Sequence, residues 1–103
     1  MELVWSGFAI QSLKEVFDYY VENVSRSVAH KIRTEILSAT AKLRMYPKLG
    51  QIEPTLVEKN QNHRYFLVGN YKVIYRITEN VILIVDVFDV RRNPSKMLRR
   101  KNI

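Results

Sequence analysis

The chain has 103 residues, 47% of them hydrophobic, which is enough for one globular domain with a single core and too few for a two-domain enzyme. It has no Cys, so disulfide frameworks, Cys-containing zinc sites and thiol chemistry are excluded, in keeping with a reducing cytoplasm. The net charge of +7 is unevenly placed: residues 1–58 carry seven basic and seven acidic side chains, whereas residues 59–103 carry ten basic and three acidic. A half so charged attracts a polyanion or an acidic protein.

In chain order, Leu3-Val4-Trp5 form a short β-prone segment, and Ser6-Gly7 can break it and cap a helix. Ala9, Leu13, Val16, Phe17, Tyr20 and Val24 then recur at helical spacing. Ser25 or Ser27 caps a second helix, whose apolar face runs through Val28, Ile32, Ile36, Ala39, Leu43 and Tyr46 to a stop at Pro47 and Gly50. The short break between the two predicts an antiparallel helical hairpin. Beyond it the period changes to two. Arg64–Val68, Tyr71–Ile77 and Val81–Phe88 read as strands joined at Gly69-Asn70 and Thr78-Glu79-Asn80, with the last strand apolar on both faces and therefore interior. In the middle strand Val73, Tyr75 and Ile77 share one face, and Lys72, Ile74 and Arg76 the other. The expectation is one α+β domain over residues 1–103. It comprises a short N-terminal strand, a two-helix hairpin, a three-stranded antiparallel meander completing one sheet (β-α-α-β-β-β), and a basic C-terminal extension.

The longest apolar run, Val81–Val85, is too short to cross a membrane, and the N-terminus lacks the pattern of a signal peptide. Glycines at 7, 50 and 69 cannot build a phosphate cradle; His30, mid-helix, and His63 are the only histidines, and the carboxylates a metal site would also need show no ligand spacing, so no cofactor and no metal are expected. What remains is a strand-borne set of basic and aromatic residues: His63, Arg64, Tyr65, Tyr71, Lys72, Tyr75 and Arg76, with Arg91 and Arg92 after the last strand. Such residues can neutralise phosphates and stack on splayed bases. Strand composition favours the plainer reading, tyrosines packing across strands beneath a wet charged face. Glu53, beside Pro54, reads as an exposed loop carboxylate, or as a general base if it faces the basic set.

The order of these features resembles the RelE/ParE superfamily of type II toxin–antitoxin toxins. The residues that carry the resemblance are the hairpin end Leu43-Arg44-Met45-Tyr46-Pro47-Lys48-Leu49-Gly50, then Glu53-Pro54-Thr55-Leu56 and His63-Arg64-Tyr65. They continue through Gly69-Asn70-Tyr71-Lys72-Val73-Ile74-Tyr75-Arg76-Ile77 to Val87-Phe88-Asp89-Val90-Arg91-Arg92-Asn93-Pro94. The resemblance implies a bacterial growth inhibitor, of the kind used in plasmid stabilization. It would be held inactive by a cognate antitoxin in a hetero-oligomer and act in the cytoplasm. RelE-like members cut mRNA on the ribosome; for that branch Glu53, Lys72 and Arg91 fall at the catalytic positions. Beyond Val90, however, no Tyr or His stands where those nucleases place their acid. ParE-like members bind and poison DNA gyrase, which needs a surface and no acid–base pair, and the long hairpin and Arg-Arg-Asn-Pro exit resemble that branch. The expected target-binding residues are His63, Arg64, Tyr71, Arg76, Arg91, Arg92 and Lys96. A non-toxic antitoxin- or nucleic-acid-binding module is the third reading.

Overall fold

The structure is a computed structural model that describes residues 1–54 and 62–91. The chain runs β1 (Glu2–Trp5), α1 (Gly7–Asn23), α2 (Arg26–Ala41), a 3-10 turn (Lys42–Arg44), β2 (Gln51–Ile52), β3 (Arg64–Val68), β4 (Tyr71–Ile77) and β5 (Val81–Asp89). Both helix starts are set by serine. The Ser6 hydroxyl accepts a hydrogen bond from the Ala9 amide at 3.0 Å, and Ser25 accepts from Val28 at 3.1 Å. Each cap satisfies an amide that the helix leaves open and contributes about 1 kcal/mol.

The strands form one mixed sheet in the order β1-β5-β4-β3-β2. β1 pairs with β5 in parallel, Glu2 opposite Val81 through Trp5 opposite Ile84, and the other pairings are antiparallel. The arrangement is α+β, with β5 interior between β1 and β4. β2, a two-residue strand on the far edge, and the parallel position of β1 add to what periodicity indicated.

An irregularity in β4–β5 decides which residues face the helices. Ile74 pairs with Asp86 and Tyr75 with Ile84, so Val85 is an extra residue on β5. The bulge moves the alternation by one, which lets Ile82, Ile84 and Val87 all join Tyr71, Val73 and Tyr75 in the core under the hairpin. Ala9 and Ile36 of the helices are fully buried against them. Ile74, Val85 and Phe88 form a second buried cluster with Tyr65 and Leu83 packed on it.

The join between hairpin and sheet is tied by one hydroxyl. Tyr75 Oη donates to the Pro47 carbonyl at 2.8 Å and accepts from the Gly50 amide at 2.8 Å. A Cβ on Gly50 would lie 2.5 Å from the Tyr65 carbonyl oxygen and 2.8 Å from the Tyr75 ring, so the close approach requires glycine. That is the physical content of the Leu-x-x-x-Pro-x-x-Gly pattern at the end of the hairpin. Tyr46 departs from the expected buried stripe: α2 ends at Ala41 and the chain tightens into the 3-10 turn, which leaves Tyr46 60% exposed.

Candidate functional site

The structure divides the single set of basic and aromatic residues singled out from the sequence into two groups. At the first, Lys72 reaches from β4 to Glu53, its ammonium 3.2 Å from Oε1 and 3.0 Å from Oε2. The Lys72 nitrogen also lies 4.4 Å from the centre of the Tyr65 ring. Glu53 is fully buried, contrary to the expectation of an exposed loop carboxylate; its amide donates to the His63 carbonyl at 2.7 Å, holding the carboxylate under the lysine. A carboxylate placed this way has its charge compensated by an ammonium and a hydrogen-bonded fork, the condition under which burial of an ion is tolerated.

His63 is itself buried, with 1% of its surface exposed, so it supplies no open binding surface. Arg64 is half-buried and donates through Nη1 to the Gly50 carbonyl at 2.7 Å, which joins it to the Tyr75 clamp. Arg76 is half-buried opposite Leu83 on β5.

The second group gathers where β4 begins and β5 ends, on the helix side of the sheet, the face opposite to Lys72. Tyr71 is buried against the helices, and its hydroxyl donates to that of Tyr20 at 2.9 Å, a partner on α1 that sequence spacing marked only as an apolar-face residue. Burial, followed by this hydrogen bond, pushes the Tyr71 hydroxyl above the ordinary tyrosine value. Tyr71 is therefore a core residue, corrected from the exposed role expected of it: alternation turns it inward with Val73 and Tyr75 while Lys72 turns out. Arg91 forms a fork with Asp89, Nε to Oδ1 at 3.0 Å and Nη2 to Oδ2 at 2.8 Å, and this pairing raises its basicity. A cleft of about 160 Å³ beside it is lined by Ser12, Glu15, Val16 and Tyr19 together with Tyr71 and Arg91. Arg92 and Lys96, and with them nearly all of the basic extension, lie outside the described residues.

The geometry thus brings Glu53 and Lys72 together and pairs Arg91 with a carboxylate of its own, Asp89. Each of the three ionic groups considered for catalysis is already in an ion pair. Sequence reasoning passed over the exposed apolar residues after α2, Met45 and Leu49; their signal was the run of large apolar residues set among Lys42, Arg44 and Lys48 beyond the helix stop. Among the described residues no helix is long and apolar enough to cross a membrane.

No curated protein matches the sequence. Among solved structures, a chain of the chromosomal ParDE TA system from P. aeruginosa superposes with a TM-score of 0.75 at 22% identity, covering 87% of this chain and 96% of that one. The likeness shows a shared fold. Residues 3–94 match the family described as the ParE toxin of the type II toxin-antitoxin system, parDE, and the chain belongs to that family.

Proposed function

We propose that this toxin arrests growth in the cytoplasm by binding and poisoning DNA gyrase, and that a cognate antitoxin neutralises it in a hetero-oligomer. Membership of the ParE family supports the reading, since gyrase is the target to which resemblance to that branch pointed. The observation that carries it is the state of the three residues a nuclease would employ. Glu53, the candidate base, is fully buried and bound to Lys72, and Arg91 is bound to Asp89. A base must reach the proton it removes, and a cation that grips a scissile phosphate must be free of a competing carboxylate. Binding to a protein target asks neither. Arg64, Arg76 and Arg91 then serve as candidate cations for the target, joined on sequence alone by Arg92 and Lys96, and the charge excess of residues 59–103 steers association.

The test is direct. With relaxed plasmid and ATP, the purified protein should inhibit gyrase supercoiling or trap cleaved DNA, while ribosomes programmed with mRNA show no new cleavage in the A site. Codon-dependent cuts that disappear with Lys72→Ala or Glu53→Ala would establish the mRNA endonuclease instead. Inactivity in both assays, with growth unaffected on expression, would leave a non-toxic binding module.

A further inference from the structure

Where the end of the hairpin meets the start of β1 and the end of β4, the surface forms a groove of about 580 Å³, within the range of ligand-binding clefts. Its lining includes Met1, Met45, Tyr46, Leu49 and Ile77. Met45 is 75% exposed, Tyr46 60% and Leu49 54%; other apolar side chains such as Ile10, Val24 and Leu67 are also exposed, but these three line one wall together. A contiguous apolar exposure of this kind marks a contact surface more often than scattered single residues do. Met and Tyr are also residue types enriched at the centres of protein interfaces.

The segment that displays these side chains is held firmly. Tyr75 Oη binds both Pro47 and Gly50, Arg64 donates to the Gly50 carbonyl, and the Leu49 amide donates to the Tyr46 carbonyl at 3.1 Å. The backbone of such a frame loses little freedom when a partner arrives, which is one condition for a preorganised contact. The rim has a sign. Lys42, Arg44 and Lys48 are exposed along the segment, and the sequence has no carboxylate from residue 36 to residue 52. The exposed carboxylates Glu2, at the start of β1, and Glu79, in the β4–β5 turn, belong to other segments. A ligand that fits must therefore be apolar along its middle and acidic on the edge that faces residues 42–48.

We propose that this groove seats an acidic amphipathic helix of a partner protein, with its apolar stripe over Met45, Tyr46 and Leu49 and its carboxylates toward Lys42, Arg44 and Lys48. The wall is built of side chains on a turn, which accommodates the ridges of a helix as helix-in-groove recognition does. The exposed centre is apolar, whereas a nucleic acid would meet cations there. The proposal holds whether or not gyrase is the target, because the groove and Arg91 lie at opposite ends of β5, a strand roughly 30 Å long.

The probe is a fluorescently labelled synthetic peptide of about 14 residues, roughly four helical turns, with leucines at helical spacing and glutamates beside them. Fluorescence anisotropy with the full chain should show saturable binding, and a scrambled peptide of the same composition should bind at least about tenfold more weakly. Met45→Asp and Leu49→Asp should each weaken binding about tenfold, the loss expected of a central interface residue. The double variant Arg44→Glu, Lys48→Glu should do likewise at low salt and less so at high salt. All these side chains are exposed, so unchanged thermal unfolding would certify the fold. Absence of peptide binding, equal binding of the scrambled peptide, or indifference to Met45→Asp and Leu49→Asp would each overturn the proposal. It would equally fall if anionic vesicles, a single-stranded oligonucleotide or a second copy of the chain, and not the peptide, engaged these residues.

Discussion

Tyr75→Phe removes a single oxygen and should be among the costly substitutions in this chain. The ring is fully buried, and its hydroxyl serves two backbone groups at once, the Gly50 amide and the Pro47 carbonyl, each at 2.8 Å. Phenylalanine keeps the packing and strands the buried Gly50 amide; the Pro47 carbonyl, on a half-buried residue, can turn partly to water. A buried polar group left unsatisfied costs about 1–3 kcal/mol, so the pair should cost about 2–4 kcal/mol. For a domain of this size 1 kcal/mol moves Tm by roughly 4–8 °C, and the expected fall is therefore roughly 8–32 °C. Circular dichroism followed through thermal unfolding measures it. Tyr65→Phe is the internal control: its hydroxyl donates to Gln51 Oε1 at 3.2 Å in an exposed position, and its loss should cost under about 0.5 kcal/mol. If Tyr75→Phe melted within about 3 °C of the parent, the clamp would not be what fixes the hairpin to the sheet.

Three further outcomes follow from the same geometry. Gly50→Ala should destabilise by about 1–3 kcal/mol or more, because the new methyl meets the Tyr65 backbone at 2.5 Å and cannot be relieved by a side-chain rotation; chemical denaturation reads the loss. Lys72→Met should cost about 3–5 kcal/mol by removing the ammonium from the buried Glu53, and adding Glu53→Gln should recover part of it, a coupling that a double-mutant cycle measures. Tyr71 and Tyr75 both have hydroxyls raised above the ordinary value of 10, chiefly by burial. The folded state thus holds protons that the unfolded chain releases. Their contribution is fully present below that value and is lost as pH rises through the folded values, so the urea midpoint should fall at alkaline pH, and less steeply in Tyr71→Phe.

The parts of the fold that were legible in the sequence are those written in local chemistry. Ser6 and Ser25 stand at the helix starts, Gly69-Asn70 at a two-residue turn, and the β-branched runs of β4 and β5 at the centre of the sheet. The parts that escaped depend on distance or on one-residue shifts. β2 is only Gln51-Ile52, too short to have a period, and exists because β3 offers it an edge. The parallel seat of β1 is a pairing between residues about 80 positions apart, with no local trace. For the site, residue types were readable and burial was not. Glu53 looked like a loop carboxylate because nothing near it in sequence shows that Lys72, nineteen positions on, comes to lie against it. Tyr71 stood next to Lys72 in the chain and so entered the same candidate set, although neighbours on a strand face opposite ways.

The pairing of β1 with β5 also governs when the molecule can exist. The Ser6 amide bonds the Ile84 carbonyl, and the Ser6 hydroxyl reaches Val85, 79 residues away. On a ribosome that releases the chain from its N-terminus, the hairpin can wind early, but β1 has no sheet to join until β5 has emerged. Until then the apolar faces of both helices lack the Ile82, Ile84 and Val87 surface they pack on. Assembly of this toxin is accordingly a late event in its own synthesis, and the order in which its strands are made separates the start of translation from the appearance of a folded, active surface.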